Sequence, residues 1–432
     1  MLLCMCAHIK VIYSYFWPMA IIVQKFGGTS VADIDRIKHV ATIVKRELDA
    51  GNQVAVVVSA MSGKTNELVG WAEAVSPLQS PESLKEYDSI VSSGEQVTSG
   101  LLALQLQSIG IKARSWLGWQ VGLETSEIHG NARIENINAT LLKESMASGE
   151  VAVIAGFQGV TPENRIATLG RGGSDTSAVA LAAALEAERC DIYTDVDGIY
   201  TTDPRLVPKA RKLRKVAYEE MLEMASLGAK VLQIRSVEMA MKHNVRVQVR
   251  SSFDDKDGSL LVSEEEAVER RLVTGVTYSR NEAQITVKNV PDIPGIAAKI
   301  FRPITAQEIN VDMIVQNMSA ASKHTDLTFT VPRADADRAV TAIESAKAEI
   351  VFGEVIVDKA VAKVSVVGVG MRSHAGLAQK MFETLAAKQI NIIVITTSEI
   401  KVSVLIQEEY TELALRALHT AYELDAAPSV AS

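Results

Sequence analysis

The chain has 432 residues, 47% of them hydrophobic, and a formal net charge of −8 at pH 7. Such a length allows roughly two to four domains of about 100–200 residues each, and the apolar share excludes global disorder. The acidic balance argues against a nucleic-acid binder, which usually presents a basic face.

The first residues, MLLCMCAHIKVIYSYFWPMA, are apolar, but His8, Lys10 and Pro18 interrupt them. The run is short for a membrane span and lacks the charged start, unbroken apolar core and cleavage site of a signal peptide. Residues 1–18 are therefore read as an extension outside the fold, spurious or poorly ordered, with Met19 a natural start. Of the three cysteines, Cys4 and Cys6 sit in this leader and Cys190 stands alone. That is no disulfide framework, and a reducing cytoplasm is expected. Cys4-x-Cys6-x-His8 has no second ligand pair with zinc-like spacing, so no metal site is assigned.

Residues 19–253 alternate short β-branched runs with helical stretches. Ile21–Val23, Val54–Ser59, Val151–Ala155 and Asp191–Asp195 read as strands, and Ile34–Leu48 as a helix. This alternation predicts an α/β domain with a mainly parallel sheet covered on both faces. In such sheets ligands bind beyond the carboxyl ends of the strands.

The chemistry-bearing stretches fall at those ends. In KFGGTS, Gly27 and Gly28 allow close backbone approach, the following helix start favours anions, and Lys25 adds a point charge. A plain strand-to-helix turn with a surface lysine would look the same, and the spacing is not that of a Walker P-loop. In VVSAMSGKTNEL, Ser59 and Thr65 could line a pocket or cap the next helix; Lys64 reads as a solvated loop residue. In SSGEQV, Glu95 suits a helix dipole, and equally a substrate ammonium.

TLGRGGSDTSAVALAAAL packs Gly170, Gly172 and Gly173 around Arg171, then Ser174 and Asp175. Arg171 offers a planar fork for a carboxylate or phosphate, Asp175 could hold an ammonium, and the glycines bare backbone donors. Together they suit a zwitterion such as an amino acid; the plainer alternative is a capped helix with a surface ion pair. In YTDVDGIYTTDPR the aspartates lack the distal glutamate of an EF-hand, and a nucleotide pocket with a metal nearby is the better reading. Lys230, in GAKVLQIRS, faces phosphate or solvent.

Around 254–280 the chain turns polar and charged, with DDKDGS and SEEEAVERR, and is read as a linker. Beyond it lies an internal repeat, ITVKNVPDIPGIAAKIFRPITAQEINVDMIVQN from Ile285 and VSVVGVGMRSHAGLAQKMFETLAAKQINIIVITTS from Val364. Each copy reads as strand, loop with Gly, amphipathic helix and second strand. Two small α+β units are expected, at 281–355 and 356–432.

Taken as an ordered set, KFGGTSV, VVSAMSGKTN, SSGEQV, GRGGSDTSA, TDVDGIYTTDPR and GAKVLQIRSVE resemble the aspartokinases, amino acid kinases that open the aspartate pathway. The terminal repeat resembles their two ACT domains, and the likeness covers about residues 20 to 425. The resemblance implies an amino acid kinase-like αβα sandwich followed by two ACT domains. It implies transfer of the γ-phosphoryl group of ATP, with Mg²⁺, to the β-carboxylate of L-aspartate, giving 4-phospho-L-aspartate and ADP on the way to lysine, threonine and methionine.

By the same resemblance, Lys25 would neutralise the transferring group, Arg171 would hold the α-carboxylate and Glu95 the ammonium. Asp175 would orient Lys25 and substrate, while Ser59, Thr65 and Ser174 would line the aspartate pocket. Gly27, Gly28, Thr194, Asp195, Tyr200, Arg205 and Lys230 would serve the nucleotide. Lysine, threonine or both would bind between ACT units of neighbouring subunits, at Asp292, Gly295, Ala297, Asn310, Asp312 and Gln316. A homo-oligomer or an αβ-type assembly is implied, with no nucleic-acid or membrane partner, and the ACT units have room to exchange strands. Two other readings stay open at this point: an amino-acid sensor whose kinase half has decayed, and a kinase of the same fold acting on glutamate, acetylglutamate or a nucleotide.

Overall fold

The computed structural model describes residues 19–78, 80–226, 231–267, 272–318, 324–347, 349–374 and 376–426. The extension 1–18 and Lys230 lie outside the described residues. The described residues within Met1–Gly170 and Ala180–Asp191 form one compact unit, and those within Arg171–Val179 and Ile192–Ser432 another.

The strand predicted over Ile21–Val23 runs Ile21–Phe26, with five of its six residues buried. It pairs in parallel with Gln53–Val58, which pairs with Val151–Ala155, and that strand with Ala113–Trp116, all parallel. Runs such as QVAVVV carry apolar side chains on both faces because both faces are covered. Helix Ile34–Asp49 buries Ile37, Val40, Ala41, Ile43 and Val44, the stripe expected of an amphipathic helix on a sheet. The complete order of this eight-stranded sheet is Lys215–Ala217, Ser259–Val262, Val247–Ser251, Arg189–Thr194, Ile21–Phe26, Gln53–Val58, Val151–Ala155, Ala113–Trp116. A separate four-stranded sheet includes the hairpin of Gln158–Val160 and Ile166–Thr168.

The segment expected to be a linker, 254–280, contributes strands to two sheets. Ser259–Val262 pairs antiparallel with Val247–Ser251 and parallel with Lys215–Ala217. DDKDGS is therefore the turn of a hairpin inside the first sheet rather than the exit from it. A Cβ on Gly258 would fall 1.8 Å from the Val249 carbonyl oxygen, so this polar turn needs its glycine for close backbone packing.

The repeat forms a six-stranded antiparallel sheet of order Asp312–Met318, His324–Pro332, Gly275–Pro291, Val355–Val367, Lys401–Gln407, Val394–Thr397. Its two central strands are long and shared. Residues 284–287 pair with 355–358, whereas 275–279 pair with 363–367. Residues 275–279, which precede the first repeat, thus pair with the opening strand of the second. Ile300, Ile304, Phe329 and Ile343 fill the core of one end; Met381, Leu385, Leu415 and Leu418 fill the other.

Candidate active site

In the first unit, three motifs far apart in sequence meet at Ala60. Lys25 lies on the first strand and is only 8% exposed. A Cβ on Gly28 would sit 3.1 Å from the Ala60 carbonyl oxygen, so the closeness that this glycine permits is to the chain's own loop. Gly27 is extended, at φ −73°, a conformation open to any residue. A short 3₁₀ turn, Gly28–Val31, follows, and helix Ile34–Asp49 is capped by the Asp33 side chain, which accepts from the Arg36 N–H. The helix start expected to attract an anion is thus already served by a carboxylate.

The Ser59–Thr65 loop resolves another alternative. Helix Lys64–Val75 is capped by Gly63, at φ +81°, without a side-chain hydrogen bond. Neither Ser59 nor Thr65 is its cap, and both are half-buried. Lys64 pairs with Glu67 at 2.6 Å on the surface, as its reading as a solvated residue implies.

All but the first residue of the SSGEQV stretch is helical. Ser93–Ser108 is helical throughout and begins directly after helix Pro81–Val91, so Gly94 is helical too. A Cβ on Gly94 would lie 2.7 Å from the Ala60 Cβ, closer than side chains approach. The glycine lets the helix come down onto the loop, and Oε1 of Glu95 accepts from the Ala60 N–H at 3.0 Å. Glu95 is 3% exposed, and its Oε2 is buried with no hydrogen-bond partner. Burial pushes the Glu95 carboxyl up to about 7, against the opposing effects of its backbone hydrogen bonds and the charge of Lys25.

Sequence reasoning passed over a polar cluster beside this site. Asp88 is fully buried and binds His129, Gly130 and Thr168. Its one visible signal was a carboxylate on the inward face of an amphipathic helix.

The glycine-rich turn carries its own constraints. Gly170 and Gly172 have φ of +74° and +72°, the left-handed region that favours glycine. In the second unit, a Cβ on Gly172 would meet the Gln233 Cγ at 1.9 Å. The Gly172 carbonyl accepts from the N–H groups of Asp175 and Thr176, so those donors are spent inside the turn. Arg171 is exposed, whereas Ser174 and Asp175 are buried at the start of helix Gly173–Leu185.

The expected nucleotide residues of this unit form local networks. The Thr194 hydroxyl donates to Asp195 at 3.1 Å, and the Tyr200 hydroxyl donates to Asp197 at 2.9 Å. Arg205 is held by two bonds to Asp203, of 3.0 and 2.8 Å. Asp292, Gly295, Ala297, Asn310, Asp312 and Gln316 lie in the first repeat. Gly295, at φ +88°, caps helix Ile296–Thr305. Asp312 pairs with buried Lys363 at 2.7 Å, and Lys363 also meets Glu282 at 3.3 Å.

Comparison with known proteins identifies the family. Residues 20–251 match the amino acid kinase family, and residues 285–346 and 364–422 match the ACT domain. An aspartokinase of Pseudomonas aeruginosa is 55% identical over 410 residues, spanning 94% of this chain and 98% of its own length. The crystal structure of E. coli aspartokinase III in complex with aspartate and ADP, an R-state, aligns at a TM-score of 0.77 and 28% identity, over 93% of this chain and 99% of that one. The T-state of the same enzyme with lysine and aspartate aligns at 0.75 and 28%, with the same coverage. With a likeness that runs nearly end to end through both the kinase fold and the ACT pair, the chain belongs to the aspartokinases of the amino acid kinase family and is an aspartate kinase.

Proposed function

We propose that the chain transfers the γ-phosphoryl group of ATP to the β-carboxylate of L-aspartate, yielding 4-phospho-L-aspartate and ADP, and that lysine, threonine or both regulate it through the ACT pair. The product would feed the synthesis of lysine, threonine and methionine in the cytoplasm. The observation that carries the substrate reading is Glu95, a carboxylate 3% exposed with one oxygen tied to Ala60 and the other without a partner. A buried carboxylate in that state calls for a cation, and the ammonium of an α-amino acid is one.

The acceptor needs no general base, because a free aspartate side chain ionises near about 3.9. The difficulty is bringing one anion to another, so fixed positive charge should do most of the work. Lys25 meets the transferring group, Arg171 takes the α-carboxylate, and Asp175 orients Lys25 and the substrate. Ser59, Thr65 and Ser174 line the pocket. Thr194, Asp195, Tyr200 and Arg205 meet the nucleotide, with Gly27 and Gly28 in the turn after Lys25. Lys230 belongs to the same reading by sequence alone.

Mg²⁺ fits this arrangement as an ion carried by ATP. Such an ion is usually held by substrate phosphates, water and one or two carboxylates. Among the described residues no group of three or more His, Cys, Asp or Glu side chains could hold a metal, and no protein ligand is assigned. Again among the described residues, no helix is long and apolar enough to cross a membrane.

The test is ADP release with ATP, Mg²⁺ and L-aspartate, with hydroxylamine trapping the acyl phosphate, in the presence and absence of lysine and threonine. Aspartate-dependent hydroxamate, suppressed by either amino acid, is the expected result. ADP release without hydroxamate would overturn the assigned product, and turnover indifferent to both amino acids would overturn the assigned effectors.

A further inference from the structure

Thr201 lies inside the stretch read as serving the nucleotide, directly after Tyr200 and four residues before Arg205. It is 0% exposed, and its polar atoms are all engaged. Its N–H donates to the Arg211 carbonyl at 2.9 Å, and its carbonyl accepts from the Val276 N–H at 2.8 Å. Its hydroxyl oxygen accepts from the Arg211 N–H at 3.0 Å, which leaves that hydroxyl one proton and one lone pair. The group that meets it is Nε2 of His419, at 2.9 Å.

His419 stands 218 residues further along the chain, in helix Thr411–Ala421 of the second ACT domain, and is also 0% exposed. Burial holds its imidazole below the ordinary 6.5, so the ring is neutral at physiological pH and can pair with a hydroxyl. Its Nδ1 has no hydrogen-bond partner among the described residues. An apolar side chain would fill this place on the helix face, beside Leu415 and Leu418, without needing any partner. What distinguishes the imidazole there is its bond to Thr201.

The residues after Thr201 are held by the same domain. Val207 shares one apolar core with Val364, Leu415 and Leu418, and Leu206 packs against that core. The Leu206 carbonyl accepts from Nε of Arg416 at 3.0 Å, and Nε of Arg211 donates to the Leu424 carbonyl at 2.8 Å. The Tyr278 hydroxyl donates at 3.3 Å to Asp203, the carboxylate that grips Arg205. A Cβ on Gly275 would lie 2.8 Å from the Thr201 carbonyl oxygen, so strand Gly275–Pro291 passes Thr201 closely at its first residue. All of these residues belong to the second unit. Apolar packing of this kind is not directional. The bond from His419 is, and it reaches the residue next to Tyr200.

We infer that His419 is a positioning residue for the nucleotide: from the second ACT domain it holds Thr201, and so sets the Tyr200–Arg205 loop in the geometry that meets ATP. The inference rests on the reading of Tyr200 and Arg205 as nucleotide residues. His419 is fully buried and acts through Thr201 rather than on ATP itself. Misplacing a binding group by about 1 Å can cost on the order of a hundredfold.

The test compares His419→Leu, His419→Gln, Thr201→Val and Thr201→Ser in the full chain, by steady-state kinetics, calorimetric titration with ADP and thermal unfolding. His419→Leu and Thr201→Val each remove one partner and keep the bulk. His419→Gln keeps a polar amide near the place of Nε2, and Thr201→Ser keeps the hydroxyl. The expected result is an ATP KM and an ADP Kd raised about tenfold or more in His419→Leu and Thr201→Val, an aspartate KM within about twofold of wild type, and recovery in His419→Gln and Thr201→Ser. If His419→Leu does not fold, the Thr201 pair carries the comparison. Unchanged ATP KM and ADP Kd in folded Thr201→Val, or ATP and aspartate KM rising together, would overturn the inference. Tyr200→Phe and Arg205→Ala run alongside. If both leave the ATP KM unchanged, the reading of the loop as a nucleotide site falls; if they raise it and the His419 and Thr201 variants do not, only the positioning role falls.

Discussion

Glu95, proposed to hold the substrate ammonium, is a single residue through which substrate binding would depend on pH. Its carboxyl is pushed up to about 7 from an ordinary 4.5, chiefly by burial. The folded protein therefore holds this proton more tightly than the unfolded chain does. The resulting stability is fully present below about pH 4.5 and is lost as pH rises through about 7. Glu95→Gln resembles the protonated form and keeps an acceptor for Ala60. Chemical denaturation should find the two proteins alike near pH 4, and the variant more stable by up to about 3 kcal/mol above pH 7. A bound ammonium favours the ionised carboxylate, so the aspartate KM of the wild type should fall as pH rises from 6 to 8. The pH profile of Glu95→Gln should be flat over that range. A sloping profile in the variant would place the titration on another group.

At the scale of elements, the site depends on how closely two pieces of backbone can pass. Helix Ser93–Ser108 comes down onto the Ala60 loop because Gly94 has no side chain there. Gly94→Ala would place a Cβ 2.7 Å from that of Ala60 and push the helix off the loop. This should raise the aspartate KM about tenfold or more by lengthening the bond from Ala60 to Glu95. Ala60→Gly removes the opposing atom, so Gly94→Ala combined with Ala60→Gly should recover much of the loss. The test is a double-mutant cycle on kcat/KM, and strict additivity would show that the contact does not matter. Gly172 is constrained twice, by φ of +72° and by the Gln233 side chain, so trimming Gln233 alone would leave a side chain there in a strained backbone.

At the scale of the whole molecule, the ACT pair is bound to the kinase residues of the second unit through buried and half-buried polar contacts. Glu220, on helix Tyr218–Ser226, accepts from the Thr274 hydroxyl and from the Val369 N–H at 3.2 Å. Thr274 and Val369 flank the two long shared strands, and the Thr274 N–H donates to the Val367 carbonyl at 2.8 Å. The Thr201 hydroxyl meets Nε2 of His419 at 2.9 Å, and Lys401 meets Glu223 at 2.7 Å. Glu220→Ala would leave the Thr274 hydroxyl and the Ala217 and Val369 N–H groups without their acceptor and should destabilise the protein by about 2–3 kcal/mol in urea. Asp312→Ala should weaken inhibition by lysine or threonine at least about tenfold, the worth of one charged hydrogen bond, while kcat stays within about twofold. The dose–response curve for each effector checks it, and an unshifted curve would remove Asp312 from the effector site.

The order of motifs, the alternation of strands and helices, and the terminal repeat were all legible in the sequence, because each is local in the chain. Val151–Ala155 falls where its apolar run predicts, and the kinase family and the ACT repeats follow from residues a few positions apart. Tertiary structure alone decided what depends on distant segments. It shows that Gly28 and Gly94 serve the approach of backbone to backbone, that Asp33 rather than an anion caps the first helix, and that Asp88 joins three segments. It also places strands where the sequence read a linker, since 259–262 and 275–279 find their partners across a sheet and not beside them in the chain. Periodicity reports which face of an element is buried. Which other element buries it, and how closely, is settled only when the chain has folded back on itself.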